Sequence, residues 1–528
     1  MEFNSLAYAL FLAAVVAIYY TPLLTRASWR QNALLLAGSY IFYGAWDWRF
    51  LSLILLTTLS TYGVALLIER SHRRFWLVAN IVLNVGILAT FKYFNFFTEN
   101  LAWLMRWFGW EMDWFTIDVL LPVGISFYTF QAIGYSIDVW RGTVRPTRNL
   151  LLFATFIAFF PQLIAGPIER TTALMPQLAR VNRWNYREAV TGLRFILWGL
   201  LKKVAVADPC GAVVDAYYGD SMAGEPDGLR IYIAGILFLI QVYCDFSGYC
   251  DIAAGSARLL GVKLSMNFNR PFISRNFLDL WSRWHITLTR WFTDYVYIPL
   301  GGSRRGKARM YANVALVFFL SGLWHGAGWG FILWGCLSGL LYILQKALGY
   351  DNMRHAPQPV LADMPAIFTT FSIFAITTVP VRLNYDITYA LDWCWRYVIP
   401  MSMMAIALFR ILFAALRGAA RAIAGRRGIN HTALKRTYFI ILATVTLTGL
   451  FTLYYPTMMH LYLFTALLFY GCEWTTRRLP WGECPYPLPR RRVWRLSLYM
   501  LFYILILIYG LLRLPPVVDA TTFLYFQF

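Results

Sequence analysis

Ser321-Gly322-Leu323-Trp324-His325-Gly326-Ala327-Gly328-Trp329-Gly330 sits inside an apolar run from Ala312 to Leu344. A run of that length belongs in a membrane. A histidine there is costly to bury, and an ionisable side chain at such depth marks a functional site by default. Gly322, Gly326, Gly328 and Gly330 thin the helix surface, so a second backbone or a substrate chain can approach closely. Trp324 and Trp329 are placed to wall a pocket with flat apolar faces. The same histidine would serve equally well as packing glue, satisfied by a polar neighbour on another helix. This window leaves the two readings level.

The whole chain extends the membrane reading. Of its 528 residues 59% are hydrophobic and only 14% charged, whereas a soluble domain is about 25% charged. Aromatic residues reach 18%, which suits interfacial belts and apolar tunnel walls. The net charge of +21 sits in short loops between apolar runs. It therefore speaks for the positive-inside rule and anionic headgroups, not for nucleic acid. The seven cysteines form no CxxC pair, so neither a metal site nor a disulfide framework is expected. Leu6–Leu24 is read as a retained first span because no basic segment or small-residue cleavage site accompanies it. No nucleotide-binding or zinc-protease motif occurs, and Gly301-Gly302-Ser303-Arg304-Arg305-Gly306-Lys307 resembles a phosphate loop in composition only.

Spanning-length runs fall roughly at 6–24, 31–46, 50–69, 75–97, 119–139, 189–207, 229–254, 311–330, 331–349, 364–380, 388–413, 437–455, 457–473 and 494–514. The run 149–166, broken by Pro161, reads as a re-entrant hairpin. Loop charge sets the topology. The acidic loop 208–228 faces outside. The basic segments 255–310, 414–436 and 477–495 face inside, and both termini lie outside. Segment 98–116, rich in tryptophan, reads as an aromatic helix on the outer leaflet.

Segment 267–310 is too polar to span and too aromatic to be a free loop. Trp281, Trp284, Ile286, Leu288 and Trp291 suggest amphipathic helices dipping into the inner leaflet, with Arg283 and Arg290 snorkelling to the headgroups. Irregular backbone at membrane depth is tolerated where it lines a cavity. The segment is thus a floor for a site entered from the cytoplasm, or simply an interfacial anchor. It carries His285. If His285 and His325 converge, one can act as general base on a hydroxyl while the other binds an acyl carbonyl or orients the first. His72, His355, His431 and His460 lie in loops or near span ends and are given no role. Asp245 and Asp251, near the inner end of a span, are expected to pair with the arginines of 258–290.

Five stretches resemble one family: LLPVGISFYTFQAIGYSIDVWRG (120–142), FFPQLIAGPIER (159–170), YCDFSGYCDIAAGSARLLG (243–261), NFNRPFISRNFLDLWSRWHITLTRWFTDYVYIPLGGSRRG (267–306) and GLWHGAGWGFILWG (322–335). They resemble the membrane-bound O-acyltransferase superfamily, and within it the bacterial branch that O-acetylates exopolysaccharides such as alginate. The resemblance implies an all-α polytopic membrane protein of roughly 11–14 transmembrane helices around a funnel or tunnel. Residues 1–350 would form the acyltransferase core, and 351–528 further transmembrane helices of the same domain.

The resemblance also implies that His325 matches the family's catalytic histidine and His285 the second histidine of the bacterial branch. Transfer would run from a cytoplasmic thioester, acetyl-coenzyme A or another acetyl thioester, to a hydroxyl. His325 would take the hydroxyl proton, and His285 or a backbone N–H near Gly326–Gly328 would serve the oxyanion. Trp324, Trp329, Asp245 and Trp284 would line the tunnel. Arg304, Arg305 and Lys307 would bind donor phosphates or simply anchor the inner face. No bound cofactor and no metal are expected. The expected partner is a periplasmic SGNH-type acetyltransferase or acetyl carrier, with this chain in the bacterial inner membrane. A flippase without chemistry, or an acyltransferase for another acceptor, remains open.

Overall fold

The computed structural model describes residues 1–110, 121–221, 228–350, 359–383, 391–392, 394–427 and 498–506. Among these residues every regular element is a helix. Six stretches are long and apolar enough to cross a membrane: Ser28–Ser71, Arg74–Trp107, Ile231–Leu259, Trp329–Ala347, Leu361–Arg382 and Cys394–Gly418. The expected runs 437–455 and 457–473 lie outside the described residues, as does most of 494–514.

The distribution of side chains is that of a protein solvated by lipid. Ile41, Leu59, Val82 and Ile411 are more than half exposed, while Gln31, Asn32, Thr57, Thr61, Asn80 and Asn84 are buried. Inside, the polar groups bond one another: the Asn80 side-chain amide donates to Ser136 Oγ at 2.8 Å, and Gln31 Nε2 donates to the Asn182 carbonyl at 2.8 Å. Apolar side chains outside and paired polar groups inside are what hydrocarbon surroundings select. The chain is a multi-pass membrane protein.

Small residues let the central helices touch backbone to backbone. Tyr186–Leu200 runs antiparallel to Gly228–Leu259, with Gly192 against Gly255 and Gly199 against Gly248. A Cβ at Gly255 would lie 2.5 Å from the Gly192 carbonyl oxygen, and one at Gly199 would lie 2.5 Å from that of Gly248. Lys307–His325 and Trp329–Ala347 form a tight helical hairpin in the same way. Added Cβ atoms at Gly322 and Gly335 would meet the carbonyl oxygens of Phe331 and Phe318, each at 2.5 Å. His325 therefore occupies the hairpin's tip, not the middle of a span.

Three local expectations change. Residues 208–221 form a helix, Asp208–Ser221, not a loop, and the helix continues from Tyr186–Leu200 through a wide turn at Leu201–Ala207. The start of the aromatic segment is no separate surface helix. It extends Arg74–Leu88 through another wide turn at Ala89–Tyr93 into Phe94–Trp107, and 111–116 lie outside the described residues. Residues 150–163 form a nine-residue helix, Leu150–Ala158, and a single turn, Phe160–Leu163, both too short to cross. Finally, 277–292 does not lie with its apolar side chains on a lipid interface: Trp281, Trp284, Ile286, Leu288 and Trp291 are all buried. Arg283 does not snorkel. Its Nε donates to Asp279 Oδ1 at 2.7 Å inside the protein; only Arg290 is exposed.

The carboxylates of the long central helix pair with lysines, not with the arginines of 258–290. Lys202 Nζ lies 2.7 Å from Asp251 Oδ2. Lys203 Nζ lies 2.7 Å from Asp245 Oδ1 and 2.8 Å from Asp208 Oδ1. Both lysines project from the Leu201–Ala207 turn, where the wider helical winding presents two consecutive side chains to the facing helix.

Candidate active site

The site is assembled by short segments crossing 267–292. Helix Phe277–Arg283 ends at Trp284, and helix Ile286–Phe292 begins one residue later. His285, between them, takes the left-handed conformation (φ 42°, ψ 53°). For a residue other than glycine this costs on the order of 1–3 kcal/mol and persists only where the surroundings impose it. Here they do. Ile286 N donates to the Asn267 carbonyl and Asn269 N to the Arg283 carbonyl, both at 2.8 Å, fastening the strap before the histidine to the bend that carries it.

Asn267 also sets the chemistry of the ring. Its Oδ1 lies 3.3 Å from Thr287 N, 2.9 Å from Thr287 Oγ1 and 3.0 Å from His285 Nδ1. A backbone N–H can only donate, so the shared atom is the amide oxygen, and His285 Nδ1 must carry a proton to bond it. In the neutral imidazole, Nε2 is then left with its lone pair. That Nε2 is buried and has no hydrogen-bond partner among the described residues. In this tautomer His285 accepts a proton or a hydrogen bond at Nε2. It does not donate there, which removes it as an oxyanion donor.

His325 closes helix Lys307–His325, and Gly326 leaves the helix in extended conformation. Its ring centroid lies 6.2 Å from that of His285, 4.8 Å from Trp324 and 5.0 Å from Trp334. Two imidazoles joined by a direct hydrogen bond of about 3 Å have centroids no more than roughly 5.3 Å apart. The observed 6.2 Å is too long for that bond. The tertiary fold therefore brings together two histidines 40 positions apart in the chain.

The other expected residues divide. Trp324 is buried with its ring 6.0 Å from His285, and Trp284 is buried among Phe268, Phe374 and Tyr243. Trp329 lies apart: it is about half exposed, and its indole N–H donates to Asn100 Oδ1 at 2.9 Å. Asp245 is held by Lys203. Arg304, Arg305 and Lys307 are exposed on the turn that precedes helix Lys307–His325. At 1.5 Å per residue, Lys307 stands roughly 27 Å along that helix from His325. Two of the backbone donors near the hairpin tip are taken: Gly326 N bonds the Gly322 carbonyl and Gly328 N that of Gly326.

Two participants besides Asn267 were not anticipated. Lys92, from the wide turn Ala89–Tyr93, reaches across to the hairpin tip and donates to the carbonyl oxygens of Trp324 (2.7 Å) and His325 (3.1 Å). A lone lysine inside the apolar run 75–97 was the signal that would have found it. Trp334, in the second turn of the returning helix, is buried beside His325, and its indole N–H has no acceptor among the described residues. In the sequence it is one tryptophan among 22 and carries no mark.

The chain was compared with known proteins. The model of the MBOAT, membrane-bound O-acyltransferase family, matches residues 145–388, a stretch that holds both histidines. The chain is 39% identical over 357 residues to the probable alginate O-acetylase AlgI of Pseudomonas putida, covering 66% of this chain and 72% of that protein. It is 35% identical over 370 residues to the peptidoglycan O-acetyltransferase of Helicobacter pylori, covering 64% and 68%. It is 30% identical over 232 residues to the teichoic acid D-alanyltransferase of Bacillus subtilis, covering 42% and 57%. On this likeness, the chain is an O-acyltransferase and belongs to the membrane-bound O-acyltransferase family.

Proposed function

We propose that this protein moves an acetyl group from a cytoplasmic thioester across the bacterial inner membrane for O-acetylation of an exopolysaccharide of the alginate or acetylated-cellulose type. The observation that carries the reading is the pair of imidazoles whose centroids stand 6.2 Å apart, too far for a direct bond and near enough for one hydroxyl oxygen to reach either ring. His325 takes the hydroxyl proton. His285, with Nδ1–H tied to Asn267, presents Nε2 as the alternative acceptor for that single proton. Trp324 and Trp284 wall the site. The exposed basic turn with Arg304, Arg305 and Lys307 meets the phosphates of the donor, acetyl-coenzyme A or another acetyl thioester. No side chain here is set up as a covalent nucleophile, so the transfer is direct.

The named relatives carry alginate, peptidoglycan and teichoic acid in their names, and those resembling this chain over most of its length are named for O-acetylation. That supports acetyl over D-alanyl transfer. A periplasmic SGNH-type acetyltransferase or acetyl carrier completes the reaction on the polymer. The test is the rate at which labelled acetate enters alkali-labile esters of the envelope saccharides in pulse-labelled cells. His325→Ala should lower it by ~10²–10⁴ while the protein still accumulates in the membrane. An unchanged rate would leave a transporter that needs no base. In proteoliposomes given donor on one side and polymer on the other, transfer should be slight until the partner is added. Efficient acetylation by this chain alone would remove the relay.

A further inference from the structure

The transfer needs a donor for the charge that develops on the acyl oxygen. The acceptor hydroxyl oxygen bonds to the acyl carbon while its proton passes to a histidine. The carbonyl π electrons move onto oxygen. When the carbonyl re-forms, the carbon–sulfur bond breaks and the thiolate leaves, taking up the proton. Between the two steps the oxygen is negative, and stabilising it is usually a large part of such catalysis.

The donors first expected do not serve. His285 is held in the tautomer that lacks a proton at Nε2 by Asn267. Gly326 N and Gly328 N already bond backbone carbonyls. Lys92 Nζ is committed to the carbonyls of Trp324 and His325. Two donors remain. The indole N–H groups of Trp334 and Trp281 are both buried and have no acceptor among the described residues. Their rings lie 5.9 Å apart, and that of Trp334 lies 5.0 Å from His325. A buried donor without an acceptor costs about 1–3 kcal/mol, so two side by side, one of them against the proposed base, are kept for an acceptor that arrives with a ligand. An indole nitrogen donates and never accepts, and it carries no charge. Neutral donors match an oxygen that is itself neutral in the ground state and negative only in passing; a phosphate or carboxylate would call for a cation.

We infer that the indole N–H of Trp334, supported by that of Trp281, binds the acyl carbonyl oxygen of the thioester and is the oxyanion donor of the transfer. This rests on the proposed acyl-transfer reading of the histidine pair. The same pulse-labelling assay tests both. Trp334→Phe should slow acetyl incorporation by ~10²–10³. Replacement of Trp334 by its benzothienyl analogue, where sulfur stands for N–H and the shape is kept, should slow it as much, with normal protein levels in the membrane. Trp281→Phe should slow it less. If the benzothienyl protein works at the unaltered rate while Trp334→Phe does not, the tryptophan only fills space and the inference falls. If both work normally while His325→Ala is inactive, the oxyanion assignment fails and the reading of the histidines stands. If His325→Ala is itself active, the reading beneath both is wrong.

Discussion

The Lys92 ammonium donates to the backbone carbonyl oxygen of His325 at 3.1 Å, and to that of Trp324 at 2.7 Å. The last carbonyls of a helix have no partner within it, and a cation at that end also meets the negative pole of the helix. Lys92 thus fixes the end of the helix that carries His325, tying the N-terminal helices to the hairpin tip. Lys92→Met should cost about 1–2 kcal/mol, read as a lower unfolding temperature in detergent. Acetyl incorporation should fall well beyond what that loss explains, because the His325 backbone is released. Normal incorporation at reduced stability would make Lys92 a stabilising cap only.

The Asn267 amide oxygen is the partner that leaves His285 Nε2 unprotonated. Asn267→Leu removes it and takes away the acceptor of the Thr287 hydroxyl proton as well, at about 1–3 kcal/mol. Asn267→Asp supplies an oxygen at the same position and should keep more activity than Asn267→Leu. Nitrogen-15 shifts of labelled histidine in the detergent-solubilised protein would read the tautomer directly. An Nδ1–H ring is expected in the unaltered protein and a mixture in Asn267→Leu. An Nε2–H ring in the unaltered protein would overturn the assignment.

Lys203 bridges Asp208 and Asp245, and Lys202 bonds Asp251. Removing one member of a buried pair leaves its charge uncompensated, at about 3–5 kcal/mol, whereas replacing both by apolar residues is often neutral. Lys202→Met alone should therefore reduce the folded protein recovered from membranes, and Lys202→Met with Asp251→Leu should restore it. Equal loss in the double variant would mean that the pair does more than hold the helices together.

A Cβ at Gly335 would stand 2.5 Å from the Phe318 carbonyl oxygen and 2.9 Å from Gly322 Cα. Gly335→Leu should force the hairpin apart, displacing His325 and Trp334 together, and abolish acetyl incorporation. Gly63, with nothing within 4 Å of its Cβ position, is the contrast: Gly63→Ala should be neutral or slightly stabilising, since alanine restricts the unfolded chain. Comparable damage from both, measured as incorporation per folded protein, would show that helix glycines matter here for some reason other than close approach.

The sequence by itself determined the membrane class, the all-helical architecture and the two histidines. Apolar run length, loop charge and the cost of an imidazole in hydrocarbon are properties of the chain that need no partner to be read. It also marked segment 267–310 as irregular and close to a site. Only the tertiary structure decided what these residues do to one another. Whether Asp245 meets an arginine or Lys203 depends on the helix opposite. Whether Trp291 faces lipid or core depends on the layer above it; the structure stacks it on Phe130, centroids 4.0 Å apart. The tautomer of His285 is fixed by an asparagine 18 positions away, and the position of His325 by a lysine 233 positions away. Periodicity and composition report how each residue meets its surroundings on average; hydrogen bonds between distant segments report which particular atoms meet, and only the folded chain contains them.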